Sequence, residues 1–245
     1  MKRYGLIGYP LGHSFSKIYF TSKFEKEGLA DCTFDLFPLK DISGFPGLIK
    51  SGQGLQGLAV TIPYKQLVIP YLSSTDPLSK NIGAVNCIKI NNENLIGYNT
   101  DSIGFEKSFL PLLKPHQRRA LVLGTGGASK AVQYILQKNQ LPYLLVSRHP
   151  SPENGIISYS ALNEKIMLDH TVIINCTPVG MVPQENTFPD IPYPYITTKH
   201  LLYDLIYKPE TTLFLQKGAA RGATIKNGYE MLIIQAEENW RIWNS

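Results

Sequence analysis

LVLGTGGASKAV, from Leu121 to Val132, decides how this chain is read. An apolar run meets a glycine-dense turn, and a helix-like stretch follows. A strand that passes to a helix through glycines brings free backbone N–H groups and the positive end of a helix dipole to one spot, which suits a phosphate. Gly124, Gly126 and Ser129 fill the three positions of G-x-G-x-x-(G/A). The first permits a tight turn, the second lets the backbone approach a pyrophosphate, and the third must be small for the helix to pack closely. Taken alone, the pattern is also an ordinary strand–turn–helix junction.

Its surroundings favour the phosphate loop. RALVLG before it reads as a strand, ASKAVQYILQKN after it as a helix, and LPYLLVS as the next strand. A residue at the end of that next strand meets the adenosine ribose, where NAD sites carry Asp or Glu. Here the chain has Ser147, Arg148 and His149. A carboxylate repels a 2′-phosphate, whereas a guanidinium can bind it bidentately. The expected cofactor is therefore NADP. Arg148 also has the plain reading of a solvated loop arginine.

Strand and helix alternate on both sides of this unit. Ahead of it, RYGLIGY, CTFDLFPL and LQGLAVTI read as strands, and SKIYFTSKFEKEGL as a helix stopping at Gly28. Residues 64–72 read as a short helix, and NIGAVNCIKI with NNENLIGYN as a hairpin with an Asn-rich turn. Asp101 and Ser102 offer N-caps for a helix through Phe109. Behind it come a helix near 160–167, the strands TVIINCTP and LLYDLIY, the helix TLFLQKGAARG, ATIKNG as strand or loop, and the amphipathic tail EMLIIQAEENWRIW. Repeated βα units imply parallel pairing. The expected fold is α/β and two-lobed. Residues 1–102 with 228–245 form an α/β substrate domain, 103–227 a Rossmann-like NADP-binding domain with a parallel sheet, and a cleft lies between.

Composition sets the outer limits. The chain has 245 residues, 43% hydrophobic and 18% charged, enough for one large or two ordinary domains. A net charge of +5 is spread thinly, and its densest cluster, Lys114 to Arg119, is short. That argues against a nucleic-acid partner and suits a small anionic ligand. Cys32, Cys87 and Cys176 form no C-x-x-C pair and no disulfide framework. No run approaches the length of a membrane span, and the N-terminus has no signal-type apolar core. A cytoplasmic protein, monomer or homodimer, acting on a small molecule is expected.

If the middle holds a cofactor, the front holds a substrate. GHSFSK puts Ser14 and Ser16 in a loop, VTIPYK puts Thr61 at a strand end and Lys65 just inside a helix, and GAVN and GYNTD put Asn86 and Asp101 at further element ends. Hydroxyls, an amide, an ammonium and a carboxylate suit a polyhydroxylated carboxylic acid. No cluster has metal-ligand spacing, so no metal is expected. Singly, Ser14 and Ser16 are turn formers, Asp101 an N-cap and Lys65 a solvated lysine.

GYPLGHSFS, GLAVTIPYK, IGAVN, GYNTDSIG, LGTGGAS, VSR, NCTPVGM, DLIYKP and NGYEMLIIQA occur in this order over nearly the whole chain. In this the sequence resembles the shikimate dehydrogenase family, NADP-linked enzymes that oxidise the shikimate 3-hydroxyl reversibly in aromatic amino-acid biosynthesis. The resemblance implies that Lys65 and Asp101 form the catalytic pair. It implies that Ser14 and Ser16 hold the substrate carboxylate beside Thr61 and Tyr207, and that Asn86, Asp101 and Gln235 bind ring hydroxyls. Gly124, Thr125, Gly126, Gly127, Ala128 and Ser129 then cradle the pyrophosphate, with Ser147 and Arg148 at the adenosine end. Thr177, Met181 and Gly228 lie along the nicotinamide. The chain departs from the family pattern at Lys17, Ala59 and Cys87, where proline, asparagine and threonine are usual. Which of Lys65 and Asp101 moves the proton stays open, because a coupled pair titrates jointly. A sister enzyme using quinate or NAD, and a non-catalytic NADPH-binding module, are the alternatives.

Overall fold

The structure is a computed structural model that describes residues 1–245 apart from His13 and Glu93. In chain order it contains β1 (Lys2–Gly8), α1 (Phe15–Lys26), β2 (Cys32–Pro38), α2 (Phe45–Ser51), β3 (Leu55–Val60), α3 (Tyr64–Leu67), β4 (Ser74–Thr75), α4 (Pro77–Ile82), β5 (Cys87–Asn91) and β6 (Asn94–Tyr98). Then follow α5 (Asp101–Phe109), β7 (Ala120–Leu123), α6 (Gly127–Lys138), β8 (Tyr143–Val146), β9 (Ile156–Ile157), α7 (Glu164–Asp169), β10 (Val172–Asn175), β11 (Leu201–Asp204), α8 (Leu213–Ala219), β12 (Thr224–Lys226) and α9 (Tyr229–Trp243). The chain divides into two compact units, Met1–Asp101 with Gln235–Ser245, and Ser102–Ile234. The return crossing lies inside α9 at Gln235 rather than at Gly228, where the sequence reading set it.

The first unit is built on a mixed sheet of order β2-β1-β3-β5-β6-β4. β1 runs parallel to β2 and β3, while β3, β5 and β6 pair antiparallel through the expected hairpin. Asn92 of its turn has φ 56, and Glu93 lies outside the described residues. Because successive strand residues face opposite ways, the sheet has two cores. Ile7, Leu58, Val60, Ile88 and Ile90 pack on one face with Phe45 and Tyr64. Tyr4, Leu6, Ala59 and Cys87 pack on the other with Phe20, Phe24, Phe34, Ala236, Ile242 and Trp243. The C-terminal half of α9 thus supplies core to the sheet that opens the chain. Trp243 lies against Gly57, where a Cβ would stand 2.3 Å from its ring, and its Nε1 donates to Ile88 O at 3.1 Å. Along α9, Leu232, Ile233 and Trp240 are half-buried, and the fully covered apolar positions are Met231, Ala236, Ile242 and Trp243.

The second unit has an all-parallel sheet of order β12-β11-β10-β7-β8-β9. Numbered from β7, that is the doubly wound order in which the strand sequence reverses between the first and fourth strands. β7, β10 and β11 are buried at every position, as strands covered on both faces must be. Their alternating side chains feed one core with Val122, Ile174 and Tyr203 and another with Leu121, Ile173 and Leu202.

Candidate functional site

Ligands of doubly wound sheets bind at the carboxyl ends of the strands where the order reverses. Here that point lies between β7 and β10, and the glycine turn follows β7. Gly124 has φ +99, a left-handed backbone that any side chain would strain. A Cβ there would also stand 2.9 Å from Thr177 Cγ2, so the turn after β7 abuts the turn after β10. At Gly126 an added Cβ would meet nothing within 4 Å, which leaves open room for a ligand. Gly126 caps the twelve-residue α6 without any capping side chain, so the first N–H groups of that helix face the same room. Thr125 and Gly126 are exposed, Gly127 and Ala128 are half-buried, and Ser129 is buried with its Oγ accepting from Gln133 Nε2 at 2.8 Å. The third motif position therefore packs as its small size requires. At the end of β8, Ser147 Oγ accepts from His149 N, and Arg148 is exposed with no carboxylate in ion-pairing range among the described residues. These features fit a dinucleotide with a 2′-phosphate.

The carboxyl ends of β10 and β11 hold polar groups that sequence reading did not single out. Asp204 is fully buried, and no cation among the described residues forms an ion pair with it. Its oxygens accept from Asn175 Nδ2 (3.0 Å), Ile206 N (3.1 Å) and Thr212 Oγ1 (2.6 Å). Burial pushes its carboxyl up to about 7. Asn175 Oδ1 in turn accepts both N (3.0 Å) and Oγ1 (2.6 Å) of Thr177. Thr177 is thus held from below by Asp204 through Asn175. Met181 is exposed and Tyr207 half-buried. Gly228 has a packing reason of its own: a Cβ there would stand 2.2 Å from Leu205 O.

In the first unit, Lys65 and Asp101 meet. Lys65 Nζ donates to Asp101 Oδ2 at 2.6 Å, with side-chain exposures of 15% and 8%. The short α3 that carries Lys65 is anchored on both sides. Tyr64 is buried with its hydroxyl on Leu39 O, and Lys65 O accepts from Val85 N at 2.7 Å. Asp101 is the first residue of α5 rather than the residue before it, and its other oxygen accepts from Asn86 Nδ2 at 2.9 Å. Asn86 Nδ2 also lies 3.3 Å from Gln235 Oε1 on α9. Four of the residues read as site groups, Lys65, Asn86, Asp101 and Gln235, therefore form one hydrogen-bonded cluster. Two residues beside it went unread, Thr100 and Asn239; the second lies four positions after Gln235, on the same helical face.

Ser14, Ser16 and Thr61 complete the expected set in this unit. Ser14 is the N-cap of α1, its Oγ accepting from Lys17 N, and Ser16 sits in the first turn. Two hydroxyls at the start of a twelve-residue helix, where the dipole is positive, suit a carboxylate. Lys17, standing where the family has proline, is what gives Ser14 an N–H to cap; its Nζ donates to Phe34 O. Thr61 follows β3, its N bonded to Ile7 O.

A doubly wound dinucleotide fold joined to a second unit with a buried ammonium–carboxylate pair defines an NAD(P)-linked oxidoreductase type of protein. A family model described as the shikimate dehydrogenase substrate binding domain matches residues 6–88. A Staphylococcus aureus protein named shikimate dehydrogenase (NADP(+)) is 34% identical over 253 residues, covering 99% of this chain and 92% of that one. The structure of shikimate dehydrogenase from Aquifex aeolicus superimposes with a TM-score of 0.86 at 32% identity, covering 99% and 92%. That of the Thermus thermophilus shikimate 5-dehydrogenase, in complex with NADP(H) and shikimate, has a TM-score of 0.86 at 27% identity, covering 99% and 93%. The chain belongs to the shikimate dehydrogenase family.

Proposed function

We propose that the protein interconverts shikimate and 3-dehydroshikimate with NADP, and that Lys65 and Asp101 handle the proton of the reacting hydroxyl. The Lys65–Asp101 contact, set among the amides of Asn86 and Gln235, is the observation that carries this reading. Oxidation of a secondary alcohol removes a proton from oxygen while a hydride leaves carbon. NADP, when bound, supplies the hydride acceptor, and the protein orients the carbon and manages the proton. Lys65 and Asp101 present one ammonium and one carboxylate to that oxygen and share the proton between them. Asn86 and Gln235 hold neighbouring hydroxyls, and Ser14 and Ser16 the substrate carboxylate. The glycine turn and the start of α6 hold the pyrophosphate, Ser147 and Arg148 the adenosine phosphate, and Thr177, Met181 and Gly228 flank the nicotinamide. A sensor that only binds NADPH has no use for a buried Lys–Asp pair.

The test follows nicotinamide absorbance with the purified chain. Shikimate with NADP is the expected productive pair, with quinate or NAD turning over far more slowly. Equal turnover with NAD contradicts the role given to Arg148, and no turnover with shikimate and NADP contradicts the whole reading.

A further inference from the structure

The structure assigns Asp204 the part of a positioning residue for the nicotinamide half of the cofactor, acting through Asn175 on the turn at 176–180. This inference rests on the reading above that Thr177 flanks the nicotinamide. Asn175, Asp204 and Thr212 are each 0% exposed. A carboxyl group held there, with no ion-pair partner among the described residues, is costly unless donors converge on it. Three do, and they come from three places in the fold. Asp204 Oδ1, at the end of β11, accepts from Asn175 Nδ2 at the end of β10 (3.0 Å) and from Ile206 N in its own turn (3.1 Å). Its Oδ2 accepts from Thr212 Oγ1, the N-cap of α8, at 2.6 Å. One carboxyl group thus ties together the ends of β10 and β11 and the start of α8.

Donor and acceptor roles fix which way Asn175 faces. Thr177 N–H can only donate, so the Asn175 atom 3.0 Å from it is the oxygen. Nδ2 is then turned toward Asp204 Oδ1 and, at 3.4 Å, toward Val179 O. Oδ1 also accepts from Thr177 Oγ1 at 2.6 Å. With both hydrogens and both lone pairs engaged, the amide is saturated. Thr177 Oγ1 gives its one hydrogen to Asn175 and accepts from Val179 N at 3.2 Å. Its hydroxyl is spent inside the turn, and its methyl lies against the glycine turn. A Cβ on Gly124 would stand 2.9 Å from Thr177 Cγ2 and 3.4 Å from Thr177 N. The turn after β10 therefore offers a ligand its shape rather than a hydroxyl proton. That shape is held by Asn175, and Asn175 is held by Asp204. Without the Asp204 oxygen, an Nδ2 hydrogen is left buried with no acceptor, a defect that a turn of the amide relieves at the expense of Thr177. Thr177 then loses its fixed place beside Gly124, and the nicotinamide loses a wall of its site. Ser147 and Arg148, at the end of β8, take no part in this chain of bonds.

Calorimetric titration of the full chain with NADP, and separately with adenosine 2′,5′-bisphosphate, tests the inference without substrate present. The second ligand carries the adenosine and its 2′-phosphate but no nicotinamide. Asp204→Ala and Asn175→Ala are each expected to raise Kd for NADP about tenfold, a hydrogen bond's worth, and to leave Kd for the bisphosphate within about a factor of three. Asn175→Ala carries the test if Asp204→Ala does not fold. Asp204→Asn keeps an oxygen for Asn175 and holds Kd for NADP within about a factor of three of wild type. Thr177→Ala is the reference for the underlying reading, and it raises Kd for NADP while sparing the bisphosphate. An unchanged Kd for NADP in Thr177→Ala overturns the placement of Thr177 on the nicotinamide. A raised Kd there beside an unchanged Kd in both Asp204→Ala and Asn175→Ala overturns the inference about Asp204 alone. Equal weakening of both ligands in the Asp204 and Asn175 variants marks a general loosening of the fold and overturns it as well. So does an Asp204→Asn variant that binds NADP as weakly as Asp204→Ala.

Discussion

At the scale of the residue, the sequence names four members of the buried hydrogen-bonded cluster, Lys65, Asn86, Asp101 and Gln235, but not their partners. Lys65 and Asp101 stand at element ends in VTIPYK and GYNTD, and the structure brings them to 2.6 Å. Nothing in the spacing of 65 and 101 states that contact; it follows from β3 pairing with β5 and from Val85 N holding the Lys65 carbonyl. Thr100 and Asn239 escaped notice because a threonine and an asparagine outside a motif give no signal until tertiary contacts bring them together. Arg148 enters the sequence reading because a cation stands where an acid is usual. Its exposure, with no carboxylate partner among the described residues, sets the expectation for Arg148→Ala. KM for NADP should rise by about 10- to 100-fold, the worth of a charge-assisted pair, with KM for NAD unmoved. Parallel losses with both cofactors contradict the assignment. Ser16→Ala should raise KM for shikimate severalfold with little change in kcat; a fall in kcat at constant KM places that hydroxyl elsewhere.

At the scale of the element, strongly periodic stretches were read well and short ones were not. β1, β3, β7, β10 and β11 are apolar runs bounded by turns, and α6 and α9 show clear helical spacing. α2, β4, α4 and β9 are absent from the sequence reading. They span between two and seven residues, too few for either period to be counted, and α2 and α4 also carry Pro and Ser. Only the packed sheet shows that they are ordered. The ends of β10 and β11 carry a consequence that sequence could not show. Asp204 keeps its proton up to about pH 7 in the folded chain, against an ordinary value of 3.8. Between those values the unfolded chain has released a proton that the folded chain retains. Stability from this group is therefore complete below about pH 4, falls as pH rises to about 7, and is level beyond. Asp204→Asn keeps an oxygen for Asn175 and Ile206 and cannot ionise. Its melting temperature should decline less than wild type over that window, and identical slopes contradict the titration.

At the scale of the whole molecule, the sequence reading sets a cofactor module inside a chain whose two ends belong together, and the structure divides into a unit of both ends and a unit of the middle. The composition of α9 signalled an amphipathic helix, but not that its halves belong to different units, nor that the change comes at Gln235. Trp243 is the test of that division. It stacks on Tyr4 with ring centroids 5.1 Å apart, reaches Phe20 at 5.3 Å and covers Gly57. Trp243→Ala should destabilise the first unit by about 3–5 kcal/mol, the usual loss for a buried large aromatic. NADP affinity, which the proposed reading assigns to the second unit, should stay within about a factor of two by titration, while KM for shikimate rises. Equal losses of both ligands contradict the division of labour. No helix among the described residues is long and apolar enough to cross a membrane.

The central claim is that the ammonium at position 65, bonded to the carboxylate at 101, serves the proton of the reacting hydroxyl. Single-turnover formation of NADPH from saturating shikimate and NADP, compared between wild type and Lys65→Ala, tests it most directly. The expected result is a rate lower by about 10²- to 10⁴-fold, with shikimate binding changed little. A variant that transfers hydride near the wild-type rate contradicts the claim.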